Sequence, residues 1–144
     1  MSIDPNNLVV KLCAQGVQAE MQGKITEAAD LYMQAWDSRT NENESCIAAH
    51  YVARVQSDVA QALHWNKTAL FHADQVTDDL IAAFYPSLYL NVGKSYEDMG
   101  EYEDAKKYYL LGAEKVSLLP DDKLGNMTKD AIRRGLDRIA ALQV

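Results

Sequence analysis

Apolar residues recur at intervals of three and four along almost every long segment of the chain, and the β-branched alternation that marks strands is missing. The period predicts an all-α protein. Asp4 is placed as N-cap of a first helix with Pro5 at its first position, where the missing N–H costs nothing, and Gly23 is the expected stop. A second helix is expected over about Thr26 to Asp37, closed by the polar stretch Ser38 to Ser45, followed by helices over about Cys46 to Gln56 and Val59 to Asp74 with Ser57-Asp58 as turn and N-cap. Pro86 interrupts the next apolar run: either one long helix is kinked there, or a short turn precedes a helix that starts there, and the break is favoured. That fifth helix ends at Gly100, the sixth opens with Glu101, Glu103 and Asp104 and runs to about Ser117, and Pro120-Asp121-Asp122 forms a loop. The last helix, about Asn126 to Leu142, carries Ile132, Leu136, Ile139 and Leu142 on one stripe and Lys129, Arg133, Arg134 and Arg138 around the other side.

The helices repeat. Residues 9–40 laid beside 86–117 bring Gly16 onto Gly93, Gly23 onto Gly100, Ala28 onto Ala105 and Tyr32 onto Tyr109 with a single shift. A shift of 34 residues then places Ala62 and Ala69 where Ala28 and Ala35 predict, with His50 and Ser57 replacing the two glycines. A period in the thirties made of two helices marks a repeat array, because one hairpin cannot bury its own apolar face and must stack on the next. The expected organisation is a single domain over 1–144, with repeats over about 5–41, 43–76 and 78–119 and a capping helix over 122–144.

In the third copy, Tyr89, Val92, Gly93, Tyr96, Gly100, Tyr102, Ala105 and Tyr109 resemble the tetratricopeptide-repeat pattern, as do Leu12, Gly16, Gly23, Ala28, Tyr32 and Ala35 in the first. The second copy keeps chiefly Ala53, Ala62, Ala69 and Leu70. The resemblance spans about three quarters of the chain and implies a right-handed α-solenoid, a superhelix of three antiparallel hairpins with a C-terminal capping helix. Two features depart from the pattern. The proline after the second helix is Thr40 in the first copy and Ser117 in the third, and Ala62 to Ala105 spans 43 residues, so about nine extra lie around Asp74 to Tyr85. Longer second helices or an extended turn would accommodate them.

Composition narrows the function. A chain of 144 residues, 48% hydrophobic, is large enough for one packed core. Fourteen Lys and Arg against twenty-one Asp and Glu give a net charge of −7, which disfavours nucleic acid and anionic membranes as partners. No run reaches the roughly 18 to 20 apolar residues of a spanning helix, and residues 1–7 lack the basic and apolar regions of a secretory leader, so the cytoplasm is the expected location. Cys13 and Cys46 match no redox or zinc spacing and read as ordinary buried or half-buried thiols.

Candidate chemistry is sparse. His50, His64 and His72 lack the spacing of a helical metal pair, and the glycines form no phosphate-binding loop, so no metal, cofactor or catalytic residue is expected and the protein reads as a non-enzyme. Glu97, Asp98, Glu101, Glu103 and Asp104 form an acidic cluster suited to a solvated turn. Tyr32, Trp36, Trp65, Tyr89, Tyr96, Tyr102 and Tyr109 fall mostly at packing positions.

The resemblance implies that the first helices of the hairpins line a concave groove that holds a peptide or partner terminus. Its facing positions would be Cys13, Val17, Glu20 and Met21, then Ile47, Tyr51, Arg54 and Val55, then Leu90, Asn91, Lys94, Glu97 and Asp98. Cys13 and Val17 stand where a carboxylate clamp would need polar donors, which excludes that mode. Tyr51, Arg54, Asn91 and Lys94, with Val17, Glu20 and Met21, remain as a contact set for an acidic or polar peptide. Charge is uneven: residues 122–144 carry five basic and three acidic groups, net +2, leaving −9 for residues 1–121. The expected function is a protein or peptide interaction module, adaptor or scaffold. The alternatives are a self-associating homo-oligomeric scaffold and, less favoured, a ligand-responsive sensor or small enzyme using Cys13 or a histidine.

Overall fold

The computed structural model describes residues 4–142, without the side chains of Asp79 and Leu80; residues 1–3 of the leader reading and 143–144 of the capping segment lie outside it. Among the described residues the only regular structure is helical, with no strand, and the helices form antiparallel hairpins. Contacts divide the chain into two compact units, one ending at Asp78 and one beginning at Asp79.

The first unit holds α1 (Leu8–Met21), α2 (Ile25–Asp37), α3 (Glu42–Arg54) and α4 (Val59–Ala73), paired as α1 with α2 and α3 with α4. Its start differs from the sequence expectation. Asp4 does not cap α1; it closes a turn, accepting from the Asn6 amide at 2.9 Å through its side chain and from the Asn7 amide at 3.0 Å through its carbonyl. The cap is Asn7, whose Oδ1 accepts from the Val10 amide. Asn7 also donates through Nδ2 to Glu44 at 2.9 Å, a tertiary bond that fixes where the helix begins.

The start of α3 differs for a related reason. It begins at Glu42, four residues before the expected Cys46, because Asn41 and Glu44 form a reciprocal cap: Asn41 Oδ1 accepts from the Glu44 amide, and Glu44 accepts from the Thr40 amide and hydroxyl. The polar run that looked like a loop is therefore partly a first helical turn. Burial alone would raise the Glu44 pKa, but hydrogen bonds from Asn7, Thr40 and Asn41 outweigh it and hold the carboxyl below its usual range.

Hairpin closure depends on glycine twice over. Gly23 takes φ +76 and Gly100 takes φ +77, in the left-handed region that L side chains avoid, and in both turns the next residue donates back across the helix end, Lys24 to Ala19 and Glu101 to Tyr96. Gly16 and Gly93 serve close approach. A Cβ on Gly16 would overlap the Tyr32 ring, and one on Gly93 would lie 2.9 Å from Tyr109 Cδ1. The two tyrosines are wholly buried as a result, Tyr32 among Val9, Cys13, Ala28, Ala35, Ala48 and Val52.

The second unit opens with a 3-10 turn (Asp79–Phe84), followed by α5 (Tyr85–Asp98), α6 (Tyr102–Glu114), a second 3-10 turn (Val116–Leu118) and α7 (Lys123–Leu142). Pro86 lies in the first turn of α5, so it breaks the segment rather than kinking a long helix. The extra residues of this repeat are spent on the connection between α4 and α5. Helix α7 starts three residues earlier than expected. It buries Ile132, Gly135 and Ile139, but Leu142, expected on the same stripe, is 57% exposed.

Helix α7 packs on its hairpin as α3 packs on α1 and α2. Gly135 lies over Tyr109 as Tyr51 lies over Tyr32, and Arg138 meets Glu97 as Arg54 meets Glu20. The same register puts Asp130, Arg133 and Asp137 where α3 buries Cys46, Ala49 and Ala53. These three are exposed and linked to one another, with Arg133 3.6 Å from Asp130 and 3.4 Å from Asp137. Helix α7 is thus a first helix whose outer face is solvated.

Gly16→Ala and Gly135→Ala are each expected to lower stability by about 1–3 kcal/mol, because the added methyl meets a tyrosine ring held on every side. Urea titration of each variant measures this. Part of the loss in Gly16→Ala should return in the Gly16→Ala, Tyr32→Leu double variant.

Candidate partner-binding surface

The expected contact residues divide between the units: Val17, Glu20 and Met21 on α1 and Tyr51 and Arg54 on α3 in the first, Asn91 and Lys94 on α5 in the second. Cys13, expected to open the groove face, is instead buried in the core of the first unit, so that face begins at Val17. Val17 is half-buried and Met21 is 80% exposed.

Glu20 and Arg54 meet in one network. The buried Tyr32 hydroxyl donates to Glu20 Oε1 at 2.7 Å, Arg54 Nη2 donates to Oε2 at 2.8 Å, and Arg54 Nε donates to Oε1 at 3.3 Å. Hydrogen bonding from Arg54 holds the Glu20 carboxyl below its usual range against the opposing effect of burial, and the Tyr32 bond adds to it. Burial and the Glu20 charge push the Tyr32 phenol far upward, so it remains a donor. The Tyr51 ring stacks on Tyr32 at 5.3 Å and lies 6.0 Å below the Arg54 guanidinium. Arg54 keeps about half of its side chain exposed, and its Nη1 has no hydrogen-bond partner among the described residues.

The second unit repeats the arrangement with residues the sequence reading did not group. The Tyr109 hydroxyl donates to Glu97 Oε1 at 2.7 Å, while Arg138 donates to Glu97 through Nε at 2.8 Å and Nη2 at 3.0 Å. Glu97 is therefore a half-buried acceptor held low by the Arg138 bonds, not a member of a solvated acidic turn. Lys94 pairs with Asp98 one turn along α5, and Asn91 is half-buried. The local signal for both networks is the shared spacing Gly16, Glu20, Tyr32 and Gly93, Glu97, Tyr109. The arginines, 34 and 41 residues from their carboxylates, have no local signal.

The remaining candidate chemistry lies elsewhere. Burial pushes both thiols, Cys13 and Cys46, up to about 12, so neither is a thiolate at neutral pH. His72 pairs with Glu42 and lies 5.9 Å from the Trp36 ring, while His64 sits edge-on to Trp65. No group of three metal-ligating side chains comes together among the described residues, and none of the described helices is long and apolar enough to cross a membrane.

No protein-family profile matches the chain, and no curated protein matches it significantly. Among solved structures, the chain is similar to the TPR domain of Sgt2 from Aspergillus fumigatus, with 24% identity, a TM-score of 0.60, and coverage of 97% of this chain and 82% of that one. The fold is therefore that of a tetratricopeptide-repeat domain, in agreement with the pattern of glycine, alanine and tyrosine positions.

The electrostatics give a pH prediction. His50 packs edge-on to Tyr51 at 5.0 Å, and burial together with the Arg54 charge pushes its imidazole down to about 4, below the usual 6.5. The unfolded chain then binds a proton that the folded chain refuses, so stability is full above pH 6.5 and falls as pH drops from there toward 4. Glu20 and Glu97, with lowered values, contribute a further loss below the ordinary carboxylate range. Urea titrations across this range should show a decline between pH 6.5 and 4 that is largely absent in His50→Gln. An equal slope in that variant would remove His50 as its source.

Proposed function

We propose that the chain is a non-catalytic protein-interaction module, acting in the cytoplasm as an adaptor, that holds a peptide segment of a partner on the face of its first helices. Val17, Glu20, Met21, Tyr51 and Arg54 are the proposed contacts in the first unit, and Asn91 and Lys94 those in the second. The likeness to a TPR domain supports the general role. The observation that carries the reading is the state of Arg54. Its Nε and Nη2 are fixed on Glu20, which Tyr32 fixes in turn, while the guanidinium lies 6.0 Å from the Tyr51 ring and its Nη1 stays open. A guanidinium already immobilised loses little further entropy when it donates to a ligand. Because Glu20 neutralises Arg54 and Asp98 neutralises Lys94, these contacts favour polar, uncharged acceptors over a strongly acidic segment.

Selection from a random peptide-display library tests this. Peptides sharing a motif should be enriched on the intact protein, and Met21→Asp, a change on an exposed side chain, should weaken them about tenfold while leaving thermal unfolding unchanged. Failure to enrich any peptide would contradict the reading. A second reading, association between copies, draws on the net +2 of residues 122–144 against −9 for the rest. Light scattering that shows a monomer at every concentration tested would exclude it.

A further inference from the structure

The outer face of α4 is composed unlike the outer faces of the other second helices. Ala60, Leu63, His64, Lys67, Thr68 and Phe71 recur at three and four residues, which places them on one side of the helix, away from the buried Ala69 and Ala73, and they line a shallow depression of about 460 Å³. Phe71 is 60% exposed, and Val59, in the first turn, is 45% exposed. Residues 59–73 contain no Asp or Glu, although the chain has twenty-one. With histidine neutral, Lys67 is the one formal charge on the helix. Asp58 and Asp74 stand at its two ends as caps, Asp58 bonded to the Ala60 amide at 3.0 Å, and Glu42 of α3 pairs with the half-buried His72.

We propose that this face is a two-fold contact through which two copies of the chain associate. The six positions are symmetric about the midpoint between Trp65 and Asn66, so an antiparallel copy of the helix sets Phe71 over Ala60, Leu63 over Thr68 and His64 beside Lys67, each pair occurring twice. Large groups thereby meet small ones, as the packing of ridges into grooves requires. The matching positions of α2 and α6, by the shifts that relate the repeats, do not offer this. On α6 the same operation sets Glu103 against Glu114 at both ends, and on α2 it brings in Asp30 and Asp37 from each copy with no cation among the six. Each chain is net −7, and α4 is the second helix on which two copies meet without adding carboxylates to the contact. Its fifteen residues make a helix about 22 Å long, so the buried area falls in the small class, below about 1,200 Å², and the dimer is weak and concentration-dependent. This contact is independent of the groove proposed above, and it differs from association driven by the charge of residues 122–144 in its surface and in its response to salt.

Sedimentation equilibrium of the full chain, up to its highest soluble concentration, tests the contact. A monomer–dimer equilibrium is expected that added salt tightens, because screening relieves the repulsion between two acidic chains, and that Phe71→Asp weakens at least about tenfold with unchanged thermal unfolding. Cross-linking reads the register, against the unaltered chain, whose two thiols are buried. Under mild oxidation a mixture of His64→Cys and Lys67→Cys chains should form the mixed disulfide dimer, whereas Ala60→Cys, whose two copies lie about 16 Å apart along the axis, should not join to itself. A monomer throughout, with no mixed disulfide, overturns the proposal and leaves the groove reading standing. A dimer that survives Phe71→Asp also overturns it, and one that salt dissolves belongs to the charge imbalance instead. Ready self-cross-linking of Ala60→Cys overturns the antiparallel contact.

Discussion

A buried phenol sets the terms for much of the packing. Tyr32 and Tyr109 lie at the centres of their units with no exposed surface, so each hydroxyl needs an acceptor inside the protein. Glu20 and Glu97 supply it from the preceding helix of the same hairpin. A carboxylate drawn that far from water is itself costly unless compensated, and the compensation arrives from the next first helix as Arg54 or Arg138. The chain phenol, carboxylate, guanidinium thereby joins two helices of one hairpin to the helix stacked on it. Gly16 and Gly93 are required because only a bare backbone lets the ring reach the position from which its hydroxyl meets the carboxylate.

The same logic explains how α7 packs. By the shifts that relate the repeats, Glu20, Arg54, Glu97 and Arg138 occupy one position in four first helices, so the charge at that position alternates along the chain. Helix α7 keeps the inward half of a first helix, with Gly135 on the tyrosine and Arg138 on the carboxylate. It changes the outward half from small apolar residues to a self-satisfied row of Asp130, Arg133 and Asp137. One helix thus completes the network on its inward side and solvates its own back.

Much of this was legible in the sequence. Small residues have few reasons to recur at fixed spacing in helices, so Gly16 with Gly93, Gly23 with Gly100 and Ala28 with Ala105 reported both the hairpins and their turns. Helix starts were less legible. Asn7 replaces Asp4 as the cap of α1, and Asn41 moves the start of α3 ahead of Cys46, both through bonds to Glu44, and a side chain satisfied from two helices leaves no trace in hydrophobic periodicity. Met21 is exposed, whereas Cys13, expected on the same face of α1, is buried in the core of the first unit with Ala48 and Val52 of α3. Glu97 looked like part of a solvated cluster for the reason that Arg138 was hidden: its partner lies 41 residues away, and acidic neighbours in sequence say nothing of which carboxylate faces inward.

The coupling of hydroxyl to guanidinium through the carboxylate is the claim on which the account rests, and a double-mutant cycle of Tyr109→Phe and Arg138→Gln, followed by urea unfolding, measures it directly. Each change removes one partner of Glu97 and leaves the ring or the helix in place. If the three groups act as one link, the two losses combine non-additively, with a coupling of about 0.5–1.5 kcal/mol. Losses that add to within about 0.3 kcal/mol would mean that the hydroxyl and the guanidinium act separately, and that the stacking of α7 does not depend on the buried phenol.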